Sequence, residues 1–368
     1  MKLNGISEGG PTERLARFRA HLGESDVDAY WLVKKANVRY MSGFTGGDST
    51  LLITDNRLLL ITDSRYEEQA GQETEVDEVV VRKEAMTATV ARVCAELGHP
   101  KIGFTAANVT YADGQELART QPGRHVKPFS DAWVEDLRRS KDRNEIHAIG
   151  RAVKLAERSF EEFAEEVAPG RSENWLAGRL EWAMKQKGAA GAAFETVCAV
   201  DERASLPHAR PTSRKTGHNS AVLLDWGARL SGYNSDLTRV LSTGRMPRQI
   251  IDISQVVRDA QKAAIAAIEP GVECSRVDRI ARDVIGRGGY EGRFAHSLGH
   301  GLGLEVHEAP HLSARSDEQL KCGDVITVEP GIYLPGRAGV RIEDMVVVTR
   351  DGCELISSIN SGVSERGE

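Results

Sequence analysis

The chain has 368 residues, enough for two domains that each bury a full core. Its 54 acidic and 48 basic residues give a net charge of −6, with both signs mixed along most of the chain. The chain has no block of basic residues of the kind that binds nucleic acid, and no apolar run is long enough to span a membrane. The N-terminal segment lacks an apolar core of signal-peptide length, so we expect a cytoplasmic protein that binds neither nucleic acid nor membranes.

The first 135 residues alternate strand-like apolar runs with amphipathic segments. Residues 12–22 and the segment EAMTATVARVCAEL have helical character, whereas TLLITD and RLLLITD are typical of strands joined by a turn at Asp55-Asn56. The short runs EVVVR and KIGF are two further predicted strands. Strands that alternate with helices over about 130 residues predict an α/β domain.

A polar, charge-dense stretch at residues 131–143 predicts a domain boundary. We therefore expect an N-terminal domain at residues 1–135 and a second domain at residues 136–368. The second begins with a long amphipathic helix, roughly residues 142–167, which Pro169-Gly170 ends.

The second domain contains an internal repeat. A long helix, a Pro-Gly stop, a shorter helix, a glycine break, a phenylalanine and an apolar hairpin with two acids occur twice, about 100 residues apart. This order predicts two similar α+β halves related by a pseudo-twofold axis. Each half would contribute one acid pair to a shared cleft. In the first copy these features are Pro169-Gly170, Phe194, Asp225 and Asp236. In the second copy they are Pro270-Gly271, Phe294, Glu329 and Glu343.

The first acid pair lies in a predicted hairpin. A loop centred on Leu230 and Ser231 would place Asp225 directly opposite Asp236, with Cβ atoms about 4.5–5.5 Å apart. Two like charges at that separation repel each other unless a cation lies between them.

The second pair repeats this arrangement. The turn YLPGRAG, centred on Gly336, would place Glu329 opposite Glu343. Together with the imidazole of His300, the four acids form an oxygen-rich set of five ligands. Such a set suits two Mn²⁺, Co²⁺ or Zn²⁺ ions better than a closed structural zinc site.

These segments carry a family resemblance. LLDWGARLSGYNSDLTR, HSLGHGLGLEVHE, VEPGIY and RIED resemble, in order and spacing, the metal-binding segments of the pita-bread metallopeptidases, which include methionine aminopeptidase, aminopeptidase P and prolidase. YMSGFTG and ITDSRY resemble the creatinase-type N-terminal domain, which methionine aminopeptidases lack. The resemblance implies an α/β N-terminal domain plus an α+β pita-bread catalytic domain. It also implies an Xaa-Pro aminopeptidase or Xaa-Pro dipeptidase that acts on proline-containing peptides as a homodimer.

The resemblance also assigns roles to the acids. Water activated between the metals would attack the scissile carbonyl, and Glu329 would pass a proton toward the leaving nitrogen. Asp236 and Glu343 would bridge the two divalent metal ions. The residues implied to bind these ions are Asp225, Asp236, His300, Glu329 and Glu343.

Four further residues would face the substrate. By the resemblance, His208 and His307 would hydrogen-bond the substrate and the tetrahedral intermediate. His296 would support the ligands or contact the substrate. Arg341 would orient the bridging carboxylate or contact the substrate.

Other functions stay open at this point. A binding protein that has lost turnover and a metal-free amidinohydrolase resembling creatinase are the alternatives, and both are disfavoured by the complete ligand set. No single residue separates a dipeptidase from an aminopeptidase. One segment departs from the family's pattern: Asp201-Glu202-Arg203 replaces a small, glycine-containing stretch before His208, so the resemblance does not define the shape of the substrate pocket.

Overall fold

The computed structural model describes residues 1, 3–120 and 125–359. The described chain forms two compact units. The smaller is Gly9–Arg138, and the larger combines Met1–Glu8 with the chain from Arg139 onward. The first residues belong to the larger unit because Leu3 and Ile6 are buried in one of its apolar clusters.

The smaller unit is built on one mixed sheet of six strands, in the order β4-β3-β2-β1-β5-β6. β1, β2 and β3 pair antiparallel, whereas the other pairs are parallel. All residues of β1, β2 and β3 are buried, which explains their continuous apolar sequence. The elements are α1 Pro11–Glu24, β1 Ala29–Leu32, α2 Lys35–Ser42, β2 Thr50–Thr54, β3 Leu58–Thr62, α3 Glu67–Glu73, β4 Glu78–Val81, α4 Met86–Glu96, β5 Lys101–Thr105, α5 Tyr111–Thr120, β6 His125–Phe129 and α6 Trp133–Arg139.

The sequence does not predict two of these helices. α2 buries Val38, Tyr40 and Met41, and α6 lies inside the charge-dense stretch, where Trp133 and Val134 are buried. Each helix spans at most about two turns, so its apolar side chains are too few for a helical period to stand out.

The larger unit contains two successive groups of helices and strands. Its elements are α7 Arg143–Ala164, α8 Glu173–Gln186, β7 Gly191–Ala192, β8 Val197–Val200, β9 Ala221–Trp226, β10 Ala228–Leu230, β11 Tyr233–Asn234, β12 Leu237–Ser242, α9 Arg248–Ile265, α10 Cys274–Ile285, β13 Gly299–Gly301, β14 Glu308–Leu312, β15 Val325–Val328, β16 Gly331–Leu334, β17 Ala338–Arg341, β18 Asp344–Thr349 and β19 Gly352–Leu355. A 3₁₀ turn at Asp201–Ser205 and a π turn at Gly286–Tyr290 complete it.

The repeat predicted from the sequence is visible in this order. α7 and α8 precede the sheet β12-β9-β8, and α9 and α10 precede the sheet β14-β13-β15-β18-β19 and the hairpin β16-β17. Among the described residues, an antiparallel bridge between Thr238 and Glu343 joins the two groups. Both groups therefore meet at strands that carry the predicted acids.

The predicted long helix corresponds to α7, with Asp142 as its N-cap in a capping box with Glu145. Its apolar positions, including Ile146, Ile149 and Phe160, are buried at helical spacing. No helix in the described ranges combines the length and the hydropathy that crossing a bilayer requires. All five cysteines have free thiols.

Candidate metal centre

A cavity of about 480 Å³ opens in the larger unit. The structure brings all nine sequence-predicted site residues together in its wall. Five of them, Asp225, Asp236, His300, Glu329 and Glu343, are called the acidic centre below. The other four are His208, His296, His307 and Arg341.

The first hairpin corrects the predicted register. Asp225 pairs with Thr238, so Asp236 is its diagonal neighbour and not its direct partner. The reason is the turn: Ser231 and Gly232 form a two-residue loop with φ values of 49° and 81°, one position further along than predicted. The shift changes the register by two residues, so both acids still share a face and their carboxyl groups interact.

The second hairpin has the predicted register. Gly331 pairs with Arg341 on one side of the acids, and Val328 pairs with Asp344 on the other. Glu329 therefore lies opposite Glu343 in the gap between the two ladders. The turn centred on Gly336 is confirmed.

His300 faces the acids through one ring nitrogen. Its Nε2 lies 3.4 Å from Oε1 of Glu329 and 3.7 Å from Oδ2 of Asp236. Its Nδ1 lies 3.1 Å from the carbonyl oxygen of Gly301, which holds the ring in this orientation. Ligand atoms of Asp236, His300 and Glu343 all lie within 4.8 Å of one another.

Burial raises the pKa of every acid in the centre. Burial raises the pKa of Asp225 above its ordinary value and that of Glu329 to about 8. Burial, followed by repulsion from neighbouring carboxylates, raises the pKa values of Asp236 and Glu343 well above their ordinary values. Burial lowers the pKa of His300 to about 4, so its imidazole is neutral at pH 7 and can act as a ligand.

These groups fit divalent cations. Oδ1 of Asp225 is buried and has no hydrogen-bond partner among the described residues. An orphaned carboxylate oxygen beside three further acids, of which Asp236 and Glu343 are buried, is costly unless a cation neutralises it. Carboxylate oxygens with one imidazole are the ligands that Mn²⁺, Co²⁺ and Zn²⁺ accept.

Arg341 links both acid pairs. Its Nη2 donates to Oδ2 of Asp225 at 2.6 Å, and its Nε donates to Oγ1 of Thr238 at 3.1 Å. The Thr238 hydroxyl in turn donates to Oε2 of Glu343 at 2.7 Å. The guanidinium therefore orients the carboxylate of one pair directly and that of the other through a hydroxyl.

Tyr333 is a site residue that the sequence analysis did not single out. Its hydroxyl accepts a hydrogen bond from Nη1 of Arg341 at 2.8 Å and lies 2.8 Å from Nε2 of His296. Burial lowers the pKa of His296 to about 3, so this histidine is neutral and supports the tyrosine. The sequence feature that could have identified Tyr333 is its position in the VEPGIY motif, four residues after Glu329.

Three more histidines line the cavity. The ring centroids of His300 and His307 are 4.4 Å apart, and burial lowers the pKa of His307. His311 belongs to none of the motifs in the sequence, yet it lines the cavity and pairs with His300 across β13 and β14. That antiparallel register, invisible in the sequence, places His311 here. His208 lines the wall from an exposed loop.

This loop, residues 201–212, is called the histidine loop below. Glu173, the first residue of α8, is fully buried and accepts hydrogen bonds from the backbone N–H groups of Val200 and Thr212, both at 2.9 Å. It also accepts from Nε of Arg203 at 2.9 Å. One carboxylate therefore holds both ends of the loop and its 3₁₀ turn.

The segment that departs from the family's pattern supplies part of this support. Asp201 has a φ of 54°, a conformation that usually favours glycine. Its carboxylate accepts hydrogen bonds from the backbone N–H of Ala221 at 2.9 Å and from Oγ of Ser220 at 2.8 Å. These two bonds compensate for the backbone strain that an aspartate adopts here.

Comparison with known proteins places this site in a family. The profile of the creatinase/prolidase N-terminal domain matches residues 14–140, and that of metallopeptidase family M24 matches residues 147–350. The uncharacterized peptidase YqhT of Bacillus subtilis is 37% identical over 344 residues, covering 94% of this chain and 97% of that protein.

Solved structures give the same result. The Xaa-Pro dipeptidase from Bacillus anthracis superimposes with a TM-score of 0.92 at 36% identity, covering 96% of this chain and 99% of that one. The X-Pro aminopeptidase from Thermotoga maritima superimposes with a TM-score of 0.89 at 34% identity, covering 94% and 99%.

The cavity and all of its lining residues lie within the segment that the family M24 profile matches. The chain belongs to metallopeptidase family M24 and carries the creatinase/prolidase N-terminal domain. The predicted fold class, an α/β N-terminal domain with a pita-bread catalytic domain, is confirmed.

Proposed function

We propose that the protein hydrolyses Xaa-Pro peptide bonds with two divalent metal ions. The observation that carries this proposal is the acidic centre, because four carboxylates, of which those of Asp236 and Glu343 are buried, and a neutral imidazole converge in one cavity. The names of the similar structures, an Xaa-Pro dipeptidase and an X-Pro aminopeptidase, support proline as the residue after the cleaved bond.

Asp225, Asp236, His300, Glu329 and Glu343 would hold the ions. When bound, Mn²⁺, Co²⁺ or Zn²⁺ ions supply Lewis acidity and lower the pKa of water at such sites. We favour manganese, because carboxylate-rich ligand sets suit it. Oδ1 of Asp225 has no hydrogen-bond partner among the described residues, so it is the ligand atom with the clearest need for a cation.

Glu329 is the proton carrier in this proposal. Its Oε1 accepts a hydrogen bond from Oγ1 of Thr327 at 3.3 Å and lies 3.4 Å from Nε2 of His300. From this position the carboxylate would accept a proton from the attacking water and return it to the leaving group. The proline nitrogen lacks its own hydrogen in the peptide, so it needs this proton as it leaves.

The remaining residues bind and orient. Arg341 holds the carboxylate of Asp225 in place at 2.6 Å and keeps its charge neutralised. His208 and His307 line the cavity beside the acids, where their ring nitrogens can hydrogen-bond the substrate carbonyl and the oxyanion. We also propose that the protein acts as a homodimer, which sedimentation at working concentration would test.

The deciding experiment is hydrolysis of Ala-Pro and Ala-Pro-Ala by protein reconstituted with Mn²⁺, with and without a chelator. We expect chelator-sensitive cleavage at the bond before proline. Cleavage of the dipeptide alone would define a dipeptidase, and release of alanine from the tripeptide an aminopeptidase. If neither peptide is cleaved by protein with two bound metals, the proposal is wrong.

A further inference from the structure

A second cavity, of about 440 Å³, lies in the larger unit and shares no described lining residue with the first. Its described lining consists of four cations and one apolar side chain. The cations are Arg151, Lys154 and Arg158 of α7 and Lys187, the C-cap of α8. These four residues and the space between them are called the basic cavity below. The sequence does not reveal it, because its residues come from two segments and are interspersed with acids and apolar residues.

The three cations of α7 lie on one face of that helix. Their spacing of three and four residues places them on successive turns, over about 10 Å along the helix axis. All three are exposed. Leu155, which lies among them in the sequence, is 9% exposed and supplies the apolar part of the lining. The basic cavity therefore combines three exposed positive charges with a buried aliphatic wall.

Arg151, Lys154 and Arg158 have no counterion within the protein. In the described part of the chain, their side chains form no ion pair and no hydrogen bond. Exposed arginines on other helices differ, since Arg92 of α4 and Arg248 of α9 each pair with an acid one turn away. Like charges on successive turns of a helix destabilise it. A bound anion would remove this repulsion.

Two acids of α7 beside these cations are engaged elsewhere. Glu157 is buried and accepts hydrogen bonds from residues 358–359. Glu162 pairs with Lys187 at 2.5 Å. A third acid, Glu161, forms no ion pair within the described ranges. The basic cavity therefore keeps a surplus of positive charge.

We propose that the basic cavity binds a small anion that carries several phosphate groups, such as the polyphosphate chain of a nucleotide. Phosphate oxygens are strong acceptors for guanidinium and ammonium donors. The cations of α7 extend over about 10 Å, a length that a chain of phosphates can follow and a single phosphate cannot. This binding activity goes beyond the proposed peptidase function and does not depend on it.

The test is calorimetric titration of the full-length protein with sodium tripolyphosphate at low salt. We expect binding that weakens as NaCl is added, because salt screens exposed charges. Lys154→Gln and Arg158→Gln should each weaken binding about threefold to tenfold, and the double variant more, since each change removes one charge-assisted contact. Absence of binding by the wild type, or unchanged affinity in the double variant, would overturn the inference.

Two other anions define the ligand class. Inorganic phosphate should bind about tenfold more weakly than tripolyphosphate, because it lacks at least one charge-assisted contact. Equal affinity for the two would show that the extended row of cations is not used, and the proposal would fail. ATP distinguishes the sources of the phosphates: equal affinity for ATP and tripolyphosphate assigns recognition to the phosphate chain alone, and tighter binding of ATP adds the nucleoside.

Lys262→Gln is the matched control. Lys262 is exposed on α9, the helix that corresponds to α7 in the repeat, and it does not line the basic cavity. We expect its substitution to leave the affinity for tripolyphosphate unchanged. A loss as large as that of Arg158→Gln would attribute the effect to net charge and contradict the proposal. Arg158→Gln should unfold in urea no earlier than the wild type, because it relieves repulsion on α7.

The acidic centre is the other place where metal ions would attract phosphates. The titrations are therefore made with Mn²⁺-loaded protein and repeated after metal removal. The loss caused by Arg158→Gln should be the same in both, because anion held by metal does not depend on Arg158. A loss that disappears on metal removal would assign the binding to the acidic centre and overturn the inference. Protein that binds tripolyphosphate but cleaves no Xaa-Pro peptide would refute the proposed function alone.

Discussion

The acidic centre and the histidine loop share one cavity but are built in different ways. The acids come from hairpins whose strands are buried, and Arg341 ties both pairs together. The histidine loop is exposed at His208 and Arg210, and its shape is held from beneath by buried Glu173. Buried charges interact through a medium of low dielectric constant, whereas exposed charges are screened by water. Single changes should therefore have large effects in the centre and small effects in the loop.

The largest expected effect comes from Asp236→Asn. The change keeps the size of the side chain but removes a carboxylate in close range of His300 and Glu343. We expect loss of metal-dependent hydrolysis and of about one bound metal ion per chain, because the predicted bridge is removed. Metal content by elemental analysis and peptide hydrolysis measure this.

The metal-free fold should tolerate that change. Burial and neighbouring carboxylates raise the pKa of Asp236 well above its ordinary value, so its charged form is disfavoured in the metal-free protein. Urea unfolding in the presence of a chelator should therefore show no loss of stability. Retention of most activity with a normal metal content would refute the assigned role of Asp236.

The next prediction concerns pH. Metal-free native protein keeps the proton of Glu329 up to a pH of about 8, whereas the unfolded chain loses it near pH 4.5. The native state binds more protons in this window, so the stability of the metal-free protein should fall as pH rises from about 4.5 to 8.

Metal binding should show the same linkage. At pH 7 an incoming cation displaces the Glu329 proton, so metal affinity should increase with pH and level off above about pH 8. Calorimetric titration with Mn²⁺ in buffers of different ionisation enthalpy would detect the released proton. A proton count of zero at pH 7 would show that the acids are ionised before metal binds.

A smaller effect is expected at Glu173→Gln, below the histidine loop. The amide keeps one acceptor oxygen but loses the ion pair with Arg203 and the acceptor for Thr212. We expect a loss of about 2 kcal/mol in unfolding free energy, the scale of hydrogen bonds to a charged group. The kcat should fall, because His208 is displaced from the position where it would hydrogen-bond the oxyanion, while the acidic centre is intact. An equal loss of bound metal would contradict this separation.

The smallest effect is expected at Asp201→Gly. Glycine relieves the left-handed backbone strain at this position but loses the hydrogen bonds to Ser220 and Ala221. The two terms oppose each other, so the change in unfolding free energy should stay within about 1 kcal/mol. Asp201→Ala keeps the strain and loses the bonds, so it should be the less stable of the two in urea unfolding. The reverse order would show that strain at this position is negligible.

The sequence by itself determined most of the elements and the shared face of each acid pair. Side chains alternate between the two faces of a strand with a period of two residues. The misplaced turn changed the register by two residues, so the prediction that Asp225 and Asp236 share a face was still correct. For Glu329 and Glu343 the turn at Gly336 was readable, so the register was also correct. The helical period and the Pro-Gly stops showed the repeat of the two α+β groups.

Only the tertiary structure decided which distant groups meet. His311 reaches the cavity through the β13–β14 register, and Tyr333 through a hydrogen bond to Arg341. Glu173, at the start of a helix, supports a loop about thirty residues away. Such contacts depend on packing between elements that are far apart in the chain, and local period and turn chemistry carry no information about them.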